Sequence, residues 1–253
     1  MKLFDLSERV VVVTGGGRGL GRAMATGLAE AGAMVVLAGR GHIELEETAE
    51  AIRLAGGRSS TVSVDLLEPV GPATLVDRIV AENGRLDVLL HAAGSQVRKP
   101  ALEFTGEEWD RVTDIHLKAA FLLAQATARH LVDRRAGGKI IFVGSLNSHI
   151  GIRNVSAYAA AKCGIAGLAR VLANEWAVDG ICVNTIIPGY YRTALTEDLF
   201  ADRARHDWVM SRIPMQRLGD PADLAGAAIY FASSASDYVT GAEIRVDGGW
   251  LAT

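Results

Sequence analysis

The chain has 253 residues, of which 49% are apolar and 22% are charged, and its formal net charge is −3. This composition is typical of an ordinary globular protein, and the small negative charge gives no reason to expect a nucleic acid or a membrane surface as a partner. No stretch approaches the roughly 20 apolar residues of a membrane span. With only two cysteines and no signal-peptide pattern, we expect a cytoplasmic protein.

Short apolar, β-branched runs alternate with longer helical patterns. Nearly continuous apolar runs predict strands that are buried on both faces of a parallel sheet. The predicted strands are Val10–Thr14, Met34–Ala38, Ser60–Val64, Val88–His91, Ile140–Val143, Ile181–Ile187 and Ile244–Val246. The predicted helices are Leu20–Ala31, Ile43–Ala55, Pro72–Glu82, Trp109–Arg134, Ala157–Val178 and Pro221–Ser233. This alternation predicts a single α/β domain over residues 1–253, a doubly wound, Rossmann-type parallel sheet of about seven strands in the order 3-2-1-4-5-6-7.

One segment interrupts the alternation. Between Pro188 and Pro221 no strand pattern occurs, and Thr193–Arg212 mixes charged with large apolar side chains, which indicates one or two short helices. Long excursions in compact domains are often lids, and this one follows the sixth strand at the sheet edge where ligands of such folds bind. We predict a substrate lid at residues 190–215; the alternative is a helix pair that only packs on the surface.

A glycine-rich turn follows the first predicted strand. Gly15, Gly19 and Gly21 have the spacing G-x-x-x-G-x-G and precede an amphipathic helix. Glycine lets the backbone approach a pyrophosphate closely, and a helix N-terminus offers unpaired N–H groups to it. The turn therefore predicts a dinucleotide site.

The end of the second predicted strand bears on which dinucleotide binds. An NAD enzyme usually has an acid there that binds the ribose 2′-OH, whereas Leu37–His42 contains none. Arg40 at this point and Arg18 in the glycine turn could contact a 2′-phosphate, or they could be solvated. We therefore expect NADP(H) to be favoured over NAD(H). Asp65, just past the third strand, could accept a hydrogen bond from adenine or cap the next helix.

Tyr158 and Lys162 lie four residues apart in a predicted helix, so their side chains share one face. An ammonium beside a phenol is expected to lower the phenol pKa from about 10, which gives a usable proton donor near neutral pH. Ser145 follows the fifth predicted strand. Such a pair occurs by chance on many helices, but behind a dinucleotide turn it predicts carbonyl or alcohol chemistry.

Together these residues resemble the short-chain dehydrogenase/reductase family over essentially the whole chain. The motifs are Thr14-Gly15-x-x-x-Gly19-x-Gly21, Asp65, Ala92-Ala93-Gly94, Ser145, Tyr158-x-x-x-Lys162, Pro188-Gly189-x-x-x-Thr193 and Val246-Asp247-Gly248-Gly249. The resemblance implies a nicotinamide cofactor, a substrate oxygen held by Ser145 and Tyr158, and a ribose bound by Lys162. It also implies a homotetramer built through the two long helices. No metal is expected, because the six His are scattered without ligand spacing. The expected cofactor-binding residues are Gly15, Arg18, Gly19, Leu20, Gly21, Arg40, Asp65, Leu66, Ala92, Ala93, Gly94, Tyr158, Lys162, Pro188, Gly189 and Thr193.

Several stretches are similar to the sugar-acid dehydrogenases within this family. They are Gln96–Pro100, Ala173–Ala177, Pro188–Tyr191, Ser233–Val239 and Val246–Leu251. Arg98 could pair with a substrate carboxylate or be a solvated loop residue. The expected substrate-binding residues are Ser145, Arg98, Asn147, Tyr158 and Tyr190. We expect hydride transfer between nicotinamide and a secondary alcohol or ketone of a sugar or sugar acid; the alternatives are a 3-oxoacyl thioester reductase and a non-catalytic cofactor sensor.

Two departures from the family pattern concern histidines. Where the family usually has Asn-Asn-Ala-Gly this chain has His91-Ala92-Ala93-Gly94, so the usual amide network must be rebuilt or absent. His116 replaces an Asn of the long helix that helps to hold a water against the Lys in the family. His116 could take over that task, join a proton relay, or simply be a buried, hydrogen-bonded side chain. We include it among the candidate catalytic residues.

Overall fold

Seven parallel strands form one sheet in the order β3-β2-β1-β4-β5-β6-β7 in the computed structural model, which describes residues 2–193 and 202–252. The strands are β1 (Val10–Thr14), β2 (Met34–Gly39), β3 (Arg58–Ser63), β4 (Val88–His91), β5 (Gly138–Val143), β6 (Ile181–Pro188) and β7 (Glu243–Val246). The central strand β1 pairs with β2 through Val11 and Val35 and with β4 through Val12 and Leu89. The predicted fold class and strand order are confirmed.

Helices connect the strands, and their ends differ from the predicted ends by a few residues. They are α1 (Gly19–Glu30), α2 (His42–Leu54), α3 (Gly71–Asn83), α4 (Gly106–Thr113), α5 (Ala119–Arg134), α6 (Ser156–Trp176), α7 (Arg203–Ser211) and α8 (Ala225–Ala232). Among the described residues, none of the helices has the length and apolarity needed to cross a membrane.

The sheet separates two apolar layers. Val12 of β1 belongs to the layer packed under α3, α5 and α6, whereas its neighbours Val11 and Val13 belong to the layer under α1, α2 and α8. Successive strand residues point to opposite faces, so a strand buried on both sides must be apolar at every position. This explains why the strands are visible in the sequence as continuous apolar runs.

A five-residue π-helical turn, Asp114–Lys118, separates α4 from α5. The predicted helix Trp109–Arg134 is continuous, but it contains this π turn, which the sequence did not predict. A π turn accommodates an extra residue without breaking the helix, and such turns are frequent at functional sites. Here the turn carries His116, which is buried with 5% exposure.

A third, smaller apolar cluster lies beyond the carboxyl end of the sheet. Val209 and Ile213, from and just after α7, pack there with Leu146 and Trp250. The predicted helix in the excursion is therefore present as α7 within the described residues. Residues 194–201 of the predicted lid lie outside them.

Candidate active site

The glycine turn after β1 is shaped by its three glycines for three different reasons. Gly15 has φ +70°, and a Cβ there would lie 2.9 Å from the Ala93 backbone. A Cβ on Gly21 would collide with the Gly15 carbonyl. Gly19 has φ +55° and faces open space, with no atom within 4 Å of where its Cβ would be. Gly15 and Gly21 allow close contacts within the turn and with the loop after β4, whereas Gly19 leaves room for a ligand.

The N-terminus of α1 faces this space. Its N-cap residue Arg18 is extended (φ −155°, ψ 167°), and no side chain caps the helix. The first-turn N–H groups, those of Gly19, Leu20 and Gly21, are therefore open to an anion, and the helix dipole favours negative charge there. The pyrophosphate of a dinucleotide fits this donor set.

Arg40 lies at the end of β2 and is exposed. Its Nη1 is 3.9 Å from Oδ2 of Asp65, and the two side chains are 73% and 37% exposed. Such a surface pair contributes little, so Arg40 can turn to another anion. Asp65 Oδ1 also accepts the Leu67 N–H at 3.0 Å, which shapes the local turn beside the buried Leu66.

Ser145, Tyr158 and Lys162 meet at the carboxyl end of β5. Ser145 follows that strand and shares a side-chain hydrogen bond with Tyr158 on α6. Lys162 Nζ donates to the Val143 carbonyl oxygen at 2.6 Å and lies 5.6 Å from the centroid of the Tyr158 ring. The structure therefore brings together the three residues that the sequence singled out.

The charge state of this group differs from the sequence expectation. Burial raises the pKa of Tyr158 above its ordinary value, and the opposing effects of the Ser145 hydrogen bond and the Arg98 charge do not offset it. Burial also lowers the pKa of Lys162 to about 7. The expected lowering of the Tyr158 pKa is therefore not observed, because desolvation raises this pKa more than the neighbouring groups lower it. Near pH 7 the phenol carries its proton and can donate it.

His91 rebuilds the polar network expected from an asparagine. Its Nε2 lies 3.1 Å from the Ile115 carbonyl oxygen, which can only accept, so Nε2 carries the proton. Nδ1 then accepts from the Thr14 hydroxyl at 2.9 Å, and the Ala93 N–H donates to that hydroxyl oxygen at 3.3 Å. Burial, followed by the charge of Lys162, lowers the pKa of His91 to about 4 and keeps it neutral. The imidazole ties β1, the loop after β4 and the π turn together.

His116 packs against Tyr158. The two rings are 5.1 Å apart at 85°. His116 Nε2 lies 2.7 Å from the Ser95 carbonyl oxygen, closer than the 3.2 Å to the Ser95 N–H, which assigns the proton to Nε2. Nδ1 is then an unprotonated acceptor, buried without a hydrogen-bond partner among the described residues. Burial and Lys162 hold the His116 pKa well below its ordinary value. Gly94 is essential to this placement, since a Cβ there would overlap the ring.

The remaining predicted residues lie at or after the carboxyl ends of β5 and β6. Asn147 is buried, and its Oδ1 has no hydrogen-bond partner. Pro188 ends β6 next to Val246 of β7, and a Cβ on Gly189 would lie 2.6 Å from Asp247 Cα. Thr193 is the last described residue before residue 202.

Arg98 and Tyr190 lie close to each other and to Tyr158. The charge of Arg98 acts on both Tyr158 and Tyr190, and Tyr190 stacks on Trp250 with ring centroids 5.0 Å apart. The sequence analysis missed one residue, Arg205 of α7, which hydrogen-bonds Tyr190 and whose charge acts on Arg98. No local pattern marks it, because only the fold brings α7 to the loop after β4.

Comparison with known proteins agrees with this geometry. Residues 15–251 match a family model described as "Enoyl-(Acyl carrier protein) reductase". The 2-dehydro-3-deoxy-D-gluconate 5-dehydrogenase of Escherichia coli is 44% identical over 252 residues, covering 100% of this chain and 99% of the relative.

Solved structures are also similar over their full lengths. A protein of Agrobacterium tumefaciens with bound NADP, described as a 2-deoxy-D-gluconate 3-dehydrogenase, has 43% identity and a TM-score of 0.94, with 100% of both chains covered. A gluconate 5-dehydrogenase of Burkholderia cenocepacia, in complex with NADP and tartrate, has 36% identity and a TM-score of 0.95, covering 100% of this chain and 98% of that one.

The chain belongs to the short-chain dehydrogenase/reductase family, a family of NAD(P)-dependent oxidoreductases, as the resemblance predicted. It is an enzyme of that class, and the hypothesis of a non-catalytic cofactor sensor is dropped.

Proposed function

We propose that this enzyme interconverts a keto sugar acid and the corresponding hydroxy acid, with NADP(H) as the favoured cofactor. The observation that carries the proposal is the hydrogen-bonded Ser145–Tyr158 pair beside buried Lys162, with the Arg98 guanidinium close enough to act on Tyr158. The relatives named above, gluconate and 2-dehydro-3-deoxy-D-gluconate dehydrogenases, support the same substrate class. Tartrate, found with the Burkholderia enzyme, is itself a hydroxy acid.

The side chains have separate tasks in this proposal. Tyr158 gives a proton to the substrate oxygen during reduction and takes it back during oxidation. Ser145 donates a hydrogen bond to the same oxygen and stabilises negative charge that develops on it. Lys162 binds the ribose and adds positive charge near the phenol. Asn147 and Tyr190 border the substrate, and Arg98 pairs with its carboxylate.

The residues fit a nicotinamide dinucleotide, which when bound supplies hydride transfer. The open first turn of α1 would hold the pyrophosphate, and Arg18 and Arg40 would hold a 2′-phosphate. Asp65 would accept from adenine, next to the buried Leu66. The loop Ala92–Gly94 and the residues Pro188, Gly189 and Thr193 would complete the cofactor side.

His116 takes the place of the family asparagine in this proposal. Its unprotonated Nδ1 is buried without a hydrogen-bond partner, and its ring contacts Tyr158. We infer that Nδ1 accepts a hydrogen bond from a water near Lys162, which would connect the phenol to solvent. A neutral imidazole suits that task, since its pKa lies well below the working pH.

An assay of NADPH oxidation tests the substrate class. We expect NADPH oxidation with 5-keto-D-gluconate, NADP⁺ reduction with 2-dehydro-3-deoxy-D-gluconate, whose C5 hydroxyl would be oxidised, and much slower NADPH oxidation with an acetoacetyl thioester. The reverse preference would favour the 3-oxoacyl thioester reductase. A parallel series with NADH, repeated for Arg40→Ala, tests the cofactor: kcat/KM for NADPH should fall by about 10-fold while that for NADH changes little, since one charge-assisted contact is lost.

The proposal also includes the oligomeric state of the enzyme, a substrate lid and the cellular location. A cavity of about 470 Å³ opens on the face of the two long helices and supports a homotetramer built there; its apolar lining is Leu117 of the π turn, Phe121 of α5 and Leu168 of α6. Residues 190–215 would act as the lid, and the location would be cytoplasmic. Light scattering of the purified protein tests the tetramer, and a monomeric mass would contradict it.

A further inference from the structure

The helix α7 presents two arginines in opposite environments. Arg203 is 95% exposed and its Nε lies 4.0 Å from Asp207. Arg205 lies four residues before Val209, so the two share a face of the helix. Val209 is fully buried in the third apolar cluster. Arg205 must therefore face the body of the domain, and Arg203 faces solvent.

The Arg205 guanidinium lies at the substrate side of the crevice. It hydrogen-bonds Tyr190, and its positive charge acts on both Tyr190 and Arg98. Arg98 in turn acts on Tyr158, the proposed proton donor. Two cations thus flank Tyr190 within reach of the reacting group.

Neither arginine is ion-paired with a carboxylate in the part of the chain that the structure describes. The groups of potential negative charge that act on Arg98 are the phenols of Tyr190 and Tyr158, and burial raises the pKa of each, so both are neutral near pH 7. Asp202, at the start of α7, accepts the backbone N–H of Arg205 and so caps the helix. The Nε of Arg205 is buried without a hydrogen-bond partner.

Arg205 is half-buried and Arg98 is exposed, and the positive charge of Arg205 acts on Arg98. An anion bound between the two guanidinium groups would relieve this repulsion and the cost of burying Arg205. We infer that Arg205 is the second arm of a two-arginine carboxylate site, which with Arg98 binds the carboxylate of the substrate acid. The inference deepens the proposed function and rests on it for the identity of the acid. Guanidinium groups suit this task because each can form two parallel hydrogen bonds with a carboxylate.

The anchoring of α7 makes the site preorganised. Trp208 and Trp250 have ring centroids 5.6 Å apart, and Ile213 and Leu146 pack in the same cluster. Leu146 directly follows Ser145, so this cluster ties the second arginine to the strand end that carries the catalytic serine. A carboxylate bound between the arginines would therefore hold the substrate at a fixed distance from Tyr158.

Calorimetry on the NADPH-saturated enzyme, in which a hydroxy acid binds but cannot be oxidised, tests the inference. D-gluconate and its uncharged amide, D-gluconamide, are titrated into the wild type, Arg205→Gln, Arg205→Lys and the matched control Arg203→Gln. We expect Arg205→Gln to weaken D-gluconate binding by about 10- to 100-fold and D-gluconamide binding by less than about 3-fold, since one charge-assisted pair is lost. Arg205→Lys should weaken D-gluconate binding by a smaller factor, and Arg203→Gln should bind both ligands as the wild type does.

Two results would overturn the inference. One is unchanged D-gluconate binding in a folded Arg205→Gln variant. The other is equal weakening of both ligands in Arg205→Gln and in Tyr190→Phe, which would make Arg205 only a brace for Tyr190. The proposed function is tested separately by NADPH oxidation with keto acids. If the enzyme reduces keto acids but Arg205→Gln leaves gluconate binding unchanged, only the inference is contradicted. If gluconate binding depends on Arg205 but no keto acid is turned over, only the proposed function is contradicted.

Discussion

The two ends of the sheet treat buried polar groups in opposite ways. At the amino end, Asp87 is 2% exposed and both carboxylate oxygens are fully engaged. They accept from the Val10 N–H at 2.9 Å, from Arg85 at 2.8 and 2.7 Å, and from Arg134 at 3.3 Å. These contacts hold the Asp87 pKa below its ordinary value despite burial. This end therefore serves stability.

At the carboxyl end, several buried polar atoms have no hydrogen-bond partner in the part of the chain that the structure describes. They are Ser95 Oγ, His116 Nδ1, Asn147 Oδ1 and Arg205 Nε. Leaving such groups unpaired costs free energy, and natural proteins accept that cost mainly where a ligand or water completes the set. Four further unpaired atoms among the described residues lie elsewhere: Ser60 Oγ, Thr127 Oγ1, Thr185 Oγ1 and Glu243 Oε1. An unpaired polar atom alone therefore does not mark a functional site; the carboxyl end is distinguished because four of them occur there.

The largest expected effect is at the carboxyl end. Tyr158→Phe should lower kcat by about 10²–10⁴-fold, because it removes the proton donor. NADPH affinity and the unfolding temperature should stay close to those of the wild type. Steady-state rates measure kcat, fluorescence titration measures NADPH affinity, and thermal unfolding measures the unfolding temperature. A variant that keeps near-wild-type rates would exclude Tyr158 as the proton donor.

The matching change at the amino end should act on stability alone. Asp87→Ala leaves Arg85 and Arg134 without their shared carboxylate and frees the Val10 N–H, so the free energy of unfolding should fall by about 3–5 kcal/mol. Urea unfolding followed by circular dichroism measures this loss. Below the transition, kcat and KM should match the wild type; a comparable loss of kcat in the folded variant would contradict the division between the two ends.

Lys162 should make the carboxyl end sensitive to pH. Its folded pKa of about 7 lies below the unfolded value of 10.5, so the unfolded chain binds more protons between these pH values. The apo protein should therefore gain stability as pH rises from 7 to 10.5. Lys162→Met should be more stable than wild type by on the order of 3 kcal/mol at pH 6, and this advantage should shrink by pH 10. An advantage that is constant across pH would contradict this.

His91 should give the smallest of these effects, at acid pH. Its pKa falls from 6.5 unfolded to about 4 folded, so the unfolded state takes up the proton first as pH decreases. Stability should be lost between pH 6.5 and 4, by about 1–3 kcal/mol. His91→Asn should flatten this part of the profile, whereas His42→Asn, at an exposed position on α2, should not. Equal acid sensitivity in wild type and His91→Asn would remove His91 as the cause.

The sheet and the catalytic group were predictable because both follow from local patterns. Strands buried on two faces must be apolar throughout, and the Tyr158–Lys162 spacing depends only on helical geometry. The π turn was not predictable, because one additional residue in a long helix leaves the apolar pattern almost unchanged.

The pKa of Tyr158 and the contacts of His91 and Arg205 with residues distant in sequence could not be predicted either. Lys162 was expected to lower the pKa of Tyr158, but the sign depends on how much water each group loses on folding, which the sequence does not show. His91 contacts Thr14 and Ile115, and Arg205 contacts Tyr190, through pairs that are brought together only by the complete topology.

The third apolar cluster has a practical consequence for engineering. Val209, Ile213 and Trp250 hold α7 in place without joining either of the two large layers beside the sheet. Mutant libraries confined to the exposed and inward polar positions of α7 should therefore retune which acids are accepted while leaving the melting behaviour of the domain intact. Directed evolution toward a new hydroxy acid would best begin on that helix.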